Sequence, residues 1–373
     1  MMIEQITQAT PLLVFSNLLI IMGIYMLLKK AAKYPFKLSS TRRNMAVILM
    51  LLFVLFAFWG ADYFHYLEMY PLVLEGEEFH LEYVYVWIIQ NLSMGYTSFR
   101  LIVWGGALFL YLLLIKRLPI NKNLALFLFG TLCLIWFSYA RSSLAMVMVY
   151  LGNSLLYKPY RNKILSFLLG WGIIFCAIFF HKSAVFIVAI SIIVYFLKNI
   201  NRKVALSIIG VCVLLILLKI DIIISAMLNM SSGEESVLSQ TITSGQNYAL
   251  MQIADRGVTS LVLKIMECIF YYLIAWCCYR FCVGKDKHSE MVSFMYFMIL
   301  IVLFSSIFLM GLQIEATIIH ERLIRFGAIP ATIVMAYFWQ HGYYLKVVKT
   351  SYRLFFSVTL MSILYAIYDA NFL

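Results

Sequence analysis

The sequence predicts an all-α protein that crosses a membrane about twelve times. Three observations predict it. Of the 373 residues, 64% are hydrophobic and 12% charged. Apolar runs near the length that crosses a bilayer recur from end to end, and the cations collect in the short connections between them. A water-soluble globule does not have this composition.

In chain order the spans fall near 11–29, 44–60, 98–116, 123–140, 141–157, 163–181, 183–197, 203–220, 258–281, 291–311, 324–343 and 350–368. Glu4 and no basic residue precede the first run, so the basic region of a cleavable signal peptide is missing and the first helix is retained with its N-terminus outside. An even number of spans puts the C-terminus outside as well.

After the second span comes a long acidic connection, 61–97, with Asp62, His65, Glu68, Glu75, Glu77, Glu78, His80 and Glu82. Its segment from Tyr83 to Ser93 is apolar but too short to cross hydrocarbon, which suits an interfacial or re-entrant helix. A second outer connection, 221–257, is rich in Ser, Thr and Gly and closes with Asp255 and Arg256. The third, 312–325, holds Gln313, Glu315, His320, Glu321, Arg322 and Arg325. Neither tandem repeats nor paired Gly- or Pro-broken helices interrupt the pattern, so 1–373 reads as one transmembrane domain.

The charge map sets the orientation. Lys29, Lys30, Lys33, Lys37, Arg42 and Arg43 occupy the first short connection, and Lys116, Arg117 and Lys122 the next. Lys158, Arg161 and Lys163, then Lys198, Arg202 and Lys203, then Arg280, Lys285 and Lys287, and finally Lys346, Lys349 and Arg353 occupy the others. These 21 of the 29 cations meet only two anions, Asp286 and Glu290, a net +19, while the rest of the chain carries −7. Short connections with this excess are cytoplasmic. The same topology accounts for a pI of about 9.3 without a nucleic-acid partner. All seven cysteines sit within or at the cytoplasmic end of spans, which argues against a disulfide framework.

Five cations break the rule and fall at the outer face: Arg141, Lys182, Arg256, Arg322 and Arg325. Arg141 opens Arg141-Ser142-Ser143-Leu144-Ala145, where two spans turn with almost no loop. A guanidinium there either snorkels to lipid phosphate or meets an anion. His181-Lys182-Ser183-Ala184 repeats the arrangement at the next outer turn, and His181 could serve as a base, as a donor to phosphate or as an interfacial hydrogen-bonding residue. Arg322 and Arg325 share one helical face, and a guanidinium pair suits a diphosphate. Glu321 precedes Arg325 by four residues, the favourable ion-pair order. Asp62 with Tyr63, Tyr66 and Tyr70 could form an aromatic belt or stack on sugars, and Glu82 could simply cap the short helix that follows it. Within a span, Lys264 and Glu267 are spaced to pair with each other.

Several motifs are missing: an Asp-x-Asp pair, HExxH, GxSxG, a phosphate-binding P-loop and a strand followed by GxGxxG. No cofactor and no metal is expected from the sequence. The cytoplasmic connections are short, whereas polar sequence accumulates outside, so the chemistry belongs to the outer face.

Taken in order, Gly60-x-Asp62-Tyr63-x-x-Tyr66, Glu82-Tyr83, Arg141-x-x-Leu144-Ala145 and Phe180-His181-Lys182-Ser183-Ala184 form a recognisable set. With Arg322 and Arg325 before a span containing Pro330, the set resembles the EpsG branch of Wzy-type bacterial polysaccharide polymerases. The resemblance implies a GT-C-like membrane glycosyltransferase of the bacterial cytoplasmic (inner) membrane. Such proteins join oligosaccharide repeat units carried on undecaprenyl diphosphate, for O-antigen, capsule or exopolysaccharide. Its implied partners are the lipid-linked oligosaccharide, membrane lipid, a flippase and a chain-length regulator.

On that reading Arg141, Arg322 and Arg325 hold the diphosphate, with Lys182 or Arg256 at the rim. Tyr63, Tyr66 and Glu82 contact substrate. His181 takes the acceptor proton, with Glu321 or Asp62 as competing choices. The rivals are a flippase for lipid-linked sugar, a membrane acyltransferase and an O-antigen ligase that differs in its acceptor.

Overall fold

Largely apolar helices, among them ones of 17 and 27 residues, set the fold, because a helix answers its own backbone groups inside hydrocarbon. The structure, a computed structural model, describes residues 11–34, 38–56, 67, 69–76, 82–92, 95–139, 142–159, 162–197, 207, 210, 258–284, 291–310, 320 and 323–369. The described residues are helical with no strand. Four helical stretches among them are long and apolar enough to cross a membrane: Phe15–Lys33, Tyr96–Arg117, Lys163–Phe180 and Ile265–Val283. Lys122–Cys133, Ser142–Tyr157, Ala184–Leu197 and Met291–Ser306 are apolar but shorter. The expected span at 203–220 lies almost entirely outside the described residues. The described cysteines, Cys133, Cys176, Cys268, Cys277, Cys278 and Cys282, are free thiols.

The chain divides into two compact units, Met1–Ala184 with Met335–Leu373, and Val185–Val334. In the first, helix Pro11–Lys33 packs on Ser40–Phe56 and on Leu345–Asp369, where Tyr25 stacks on Phe356 at 5.3 Å between ring centres. Helix Tyr96–Arg117 contains a π turn at Leu101–Gly105, and a second π turn, Phe129–Cys133, interrupts the next helix. Tyr111 and Phe129, both buried, stack at 4.0 Å between these helices.

Among the described residues, Ser142–Tyr157 and Lys163–Phe180 pack along the most extensive helix contact, and two glycines explain how close they come. A Cβ on Gly152 would lie 2.6 Å from the Gly170 carbonyl oxygen, and one on Gly170 would lie 3.0 Å from the Gly152 oxygen. Lipid tails give helices no hydrophobic reason to associate, so small residues that bring backbones together supply the packing. Asn162 caps the start of the second helix, its side-chain oxygen accepting from the Leu165 amide at 3.0 Å. Arg117 ties the far end of the first, donating to Ser154 Oγ at 3.2 Å and to the Lys158 carbonyl. A cation is favoured at that helix C-terminus.

Pro330 falls in the first turn of helix Ala328–His341, where a missing amide costs no helical bond. The helix ends in a Schellman turn. Tyr343 N–H donates to the Phe338 carbonyl at 2.9 Å, Gly342 N–H donates to Trp339 at 3.3 Å, and Gly342 takes φ +72°.

Replacing Gly152 or Gly170 with alanine is expected to destabilise the protein by about 1–3 kcal/mol through overpacking. Gly172→Ala, on the same helix with nothing within 4 Å of its new methyl, should leave stability unchanged or slightly raised. Unfolding of the purified protein by titrated detergent measures the difference.

Candidate active site

His181 sits where helix Lys163–Phe180 ends. Its amide donates to the Ala177 carbonyl at 3.1 Å, its backbone turns extended (φ −162°, ψ 122°), and its own carbonyl accepts from Ala184 at 2.9 Å. The helix therefore stops at this residue and a turn follows at Lys182 and Ser183, both half-buried. The imidazole Nδ1 lies 2.6 Å from Oε1 of Glu82, across 99 positions of sequence. The Glu82 side chain is 8% exposed and that of His181 22%.

Glu82 reaches this place because it starts helix Tyr83–Leu92. Its carbonyl accepts from Tyr85 and Val86, at 2.9 and 3.3 Å, which makes it the capping residue by backbone. Its carboxylate goes to His181. Tyr85, 1% exposed, holds the two helices in register, with its ring edge-on to Phe180 at 6.2 Å and to Phe99 at 6.1 Å. Gln90 donates to the Val73 carbonyl at 3.3 Å and ties the same helix to the helical segment 69–74. Tyr70, a candidate for an exposed aromatic belt, is instead 6% exposed and packs edge-on against Tyr96 at 5.7 Å. Burial raises the pKa of its hydroxyl, so the ring packs as a neutral phenol.

With Glu82 ionised, Nδ1 of His181 must carry the hydrogen it shares with the carboxylate. Nε2 is then the nitrogen left to exchange a proton with a substrate. Such a ring can take a proton from a hydroxyl or return one to a leaving oxygen.

The second unit holds another buried polar group. Glu267, 3% exposed, has Oε1 at 3.5 Å from Nε of Arg325. The pairings expected from spacing were Glu267 with Lys264 and Arg325 with Glu321. A contact that spacing did not offer joins Glu267 to Arg325 across two helical segments; the Lys264 side chain and Glu321 lie outside the described residues. Beside it His320, 2% exposed, has Nδ1 at 2.8 Å from the Ser305 carbonyl and Nε2 at 3.5 Å from Cys268 Sγ. Tyr272 and Ser306 are hydrogen-bonded nearby.

A family model described as EpsG matches residues 43–373, nearly the whole chain and every motif singled out above. The chain belongs to the EpsG family. Membership makes it a membrane protein of the polysaccharide-polymerase type. No curated protein and no solved structure matches it. Of the candidate residues in this EpsG-family chain, His181, Lys182, Glu82 and Arg325 are described. Asp62, Tyr63, Tyr66, Arg141, Arg256, Glu321 and Arg322 lie outside the described residues.

One buried cation escaped the sequence reading. Arg100, 1% exposed, donates from Nε and Nη2 to the Val54 carbonyl at 3.2 and 2.7 Å and lies 4.6 Å from the Trp104 ring centre. Its signal was local: Tyr96 and Trp104 stand four residues before and after it, on the same helical face.

Removing one partner of a fully buried ion pair typically costs ~3–5 kcal/mol. The Arg325 side chain is 26% exposed, so Glu267→Ala should cost about 2 kcal/mol, with most of the loss recovered in Glu267→Ala/Arg325→Met. Thermal unfolding of the detergent-solubilised protein reads both values.

Proposed function

We propose that this protein is a polysaccharide polymerase of the bacterial cytoplasmic membrane. It spans the bilayer about twelve times in a GT-C-like arrangement, with both termini and the site outside. It transfers a growing chain from undecaprenyl diphosphate to a hydroxyl of the next lipid-linked repeat unit, within O-antigen, capsule or exopolysaccharide synthesis. The observation that carries the reading is the EpsG-family match over residues 43–373.

The chemistry is consistent with the residues. A sugar already activated as a diphosphate needs no nucleotide. Arginines facing the leaving group can stabilise its charge without a metal ion. Arg141, Arg322 and Arg325 take that role in this proposal, with Lys182 and Arg256 at the rim. His181 accepts the acceptor proton, and Asp62 and Glu321 are the competing bases. Tyr63 and Tyr66 stack on the sugars. A flippase and a chain-length regulator are its expected partners.

Deleting the gene should leave single repeat units on the surface in place of long chains, whereas loss of a ligase would leave none. Arg141→Ala and Arg322→Ala, each the only copy in the cell, should abolish long-chain polymer, as seen on silver-stained or blotted gels. Purified protein given lipid-linked units extracted from the deletion strain should form polymer in excess EDTA. Intact polymer in both arginine variants would overturn the assignment, and transport without polymer would favour a flippase.

A further inference from the structure

The polymerase reading assigns His181 a proton and leaves Glu82 as a substrate contact. We propose that Glu82 is instead the positioning residue of the catalytic histidine: it fixes which nitrogen of His181 meets the acceptor and balances the charge that forms there. The inference rests on the polymerase reading for its reaction. Its own evidence is the 2.6 Å contact between Oε1 and Nδ1, made by a carboxylate whose side chain is 8% exposed.

Three features separate this arrangement from an incidental ion pair. First, both side chains come from helix ends that are themselves fixed. His181 terminates the 18-residue helix held by the Gly152–Gly170 crossing, and Glu82 begins the helix locked by Tyr85 between Phe180 and Phe99. Second, the helix ends carry the complementary charges. Glu82 lies at a helix N-terminus, which favours a carboxylate, and His181 lies at a helix C-terminus, which favours an imidazolium. Third, the carboxylate engages Nδ1 and leaves Nε2 for chemistry, the division of labour by which a buried carboxylate holds a general-base histidine in one tautomer.

The step balances as follows. The acceptor O–H gives its proton to Nε2 of His181 while its oxygen forms a bond to the anomeric carbon of the donor sugar. The bond from that carbon to the diphosphate oxygen breaks, and its electron pair leaves with undecaprenyl diphosphate. The ring is then an imidazolium beside the Glu82 carboxylate, and it returns its extra proton from Nε2 to the departing diphosphate or to water. Glu82 stays ionised throughout and touches neither sugar.

The test uses purified full-length protein and the lipid-linked repeat unit extracted from a deletion strain. Glu82→Ala should lower kcat by about 10²-fold, the scale of a general base set out of place, with KM within about twofold of wild type. Glu82→Gln keeps an acceptor for Nδ1 without the charge and should fall between, and Glu82→Asp should retain more activity than alanine. In a His181→Ala background, Glu82→Ala should cost nothing further, because a positioning residue has nothing left to position. Undiminished kcat in Glu82→Ala, a raised KM with kcat intact, or full additivity with His181→Ala would each overturn this role and leave the polymerase reading standing. A wild-type protein that makes no polymer from the extracted unit would overturn both.

Discussion

Inside hydrocarbon no water is present to answer a polar group, so each must be answered by the protein. That constraint organises the described structure. Arg100 meets it by donating twice to the Val54 carbonyl. Val54 lies on helix Ser40–Phe56, so the contact answers a buried guanidinium and ties helix Tyr96–Arg117 to that helix. The aromatic faces of Trp104 and Tyr96 cover the cation on its other sides. Small hydroxyls meet the constraint locally. Thr131, Ser166 and Ser191 are buried, and each donates to the carbonyl four residues earlier on its own helix. Glu82, Glu267 and His320 cannot do this, and each draws a partner from a distant segment.

The same need for fixed partners bears on how His181 is held at a helix end. A histidine on a loop would be placed by whatever the loop allowed. Here the ring follows directly from a helix whose axis is set by backbone contact at Gly152 and Gly170, the least compressible contact two helices can make. Its carboxylate partner follows from a second helix keyed to the first by a buried aromatic ring. Two rigid supports converge on one contact, which is what preorganisation of a proton-transferring group requires.

The described helices were legible in the sequence, because a long run of apolar residues has few alternatives. The short helix after Glu82 was legible for the same reason, being apolar yet only ten residues long. The turn that places His181 showed as a polar interruption between two apolar runs. Its partner did not show. A contact between residues 82 and 181 leaves no periodicity in either segment, and the only local reading of Glu82 was as a cap. It proved to do both, its carbonyl starting the helix and its carboxylate reaching across. Arg325 shows the same limit: spacing within a helix offered Glu321, which lies outside the described residues, while only the fold brings Glu267 to it. Arg100 was passed over because a cation at the head of an apolar run looks like ordinary snorkelling until its burial is seen.

The Arg325–Glu267 contact also ranks the arginines as ligands for a diphosphate. An arginine beside a carboxylate at 3.5 Å presents a nearly neutral pair to an approaching anion. A diphosphate binding there would meet the repulsion of Glu267 as well as the attraction of the guanidinium, and in a partly buried setting the two are of similar size. Arg325 can join such a ligand only by loosening its contact with Glu267, which is 3% exposed, and parting a buried pair carries a cost. Under the polymerase reading, Arg141 and Arg322 therefore stand ahead of Arg325 as holders of the leaving group. Arg325 would contribute less to that hold, because it also ties two segments of its own unit together.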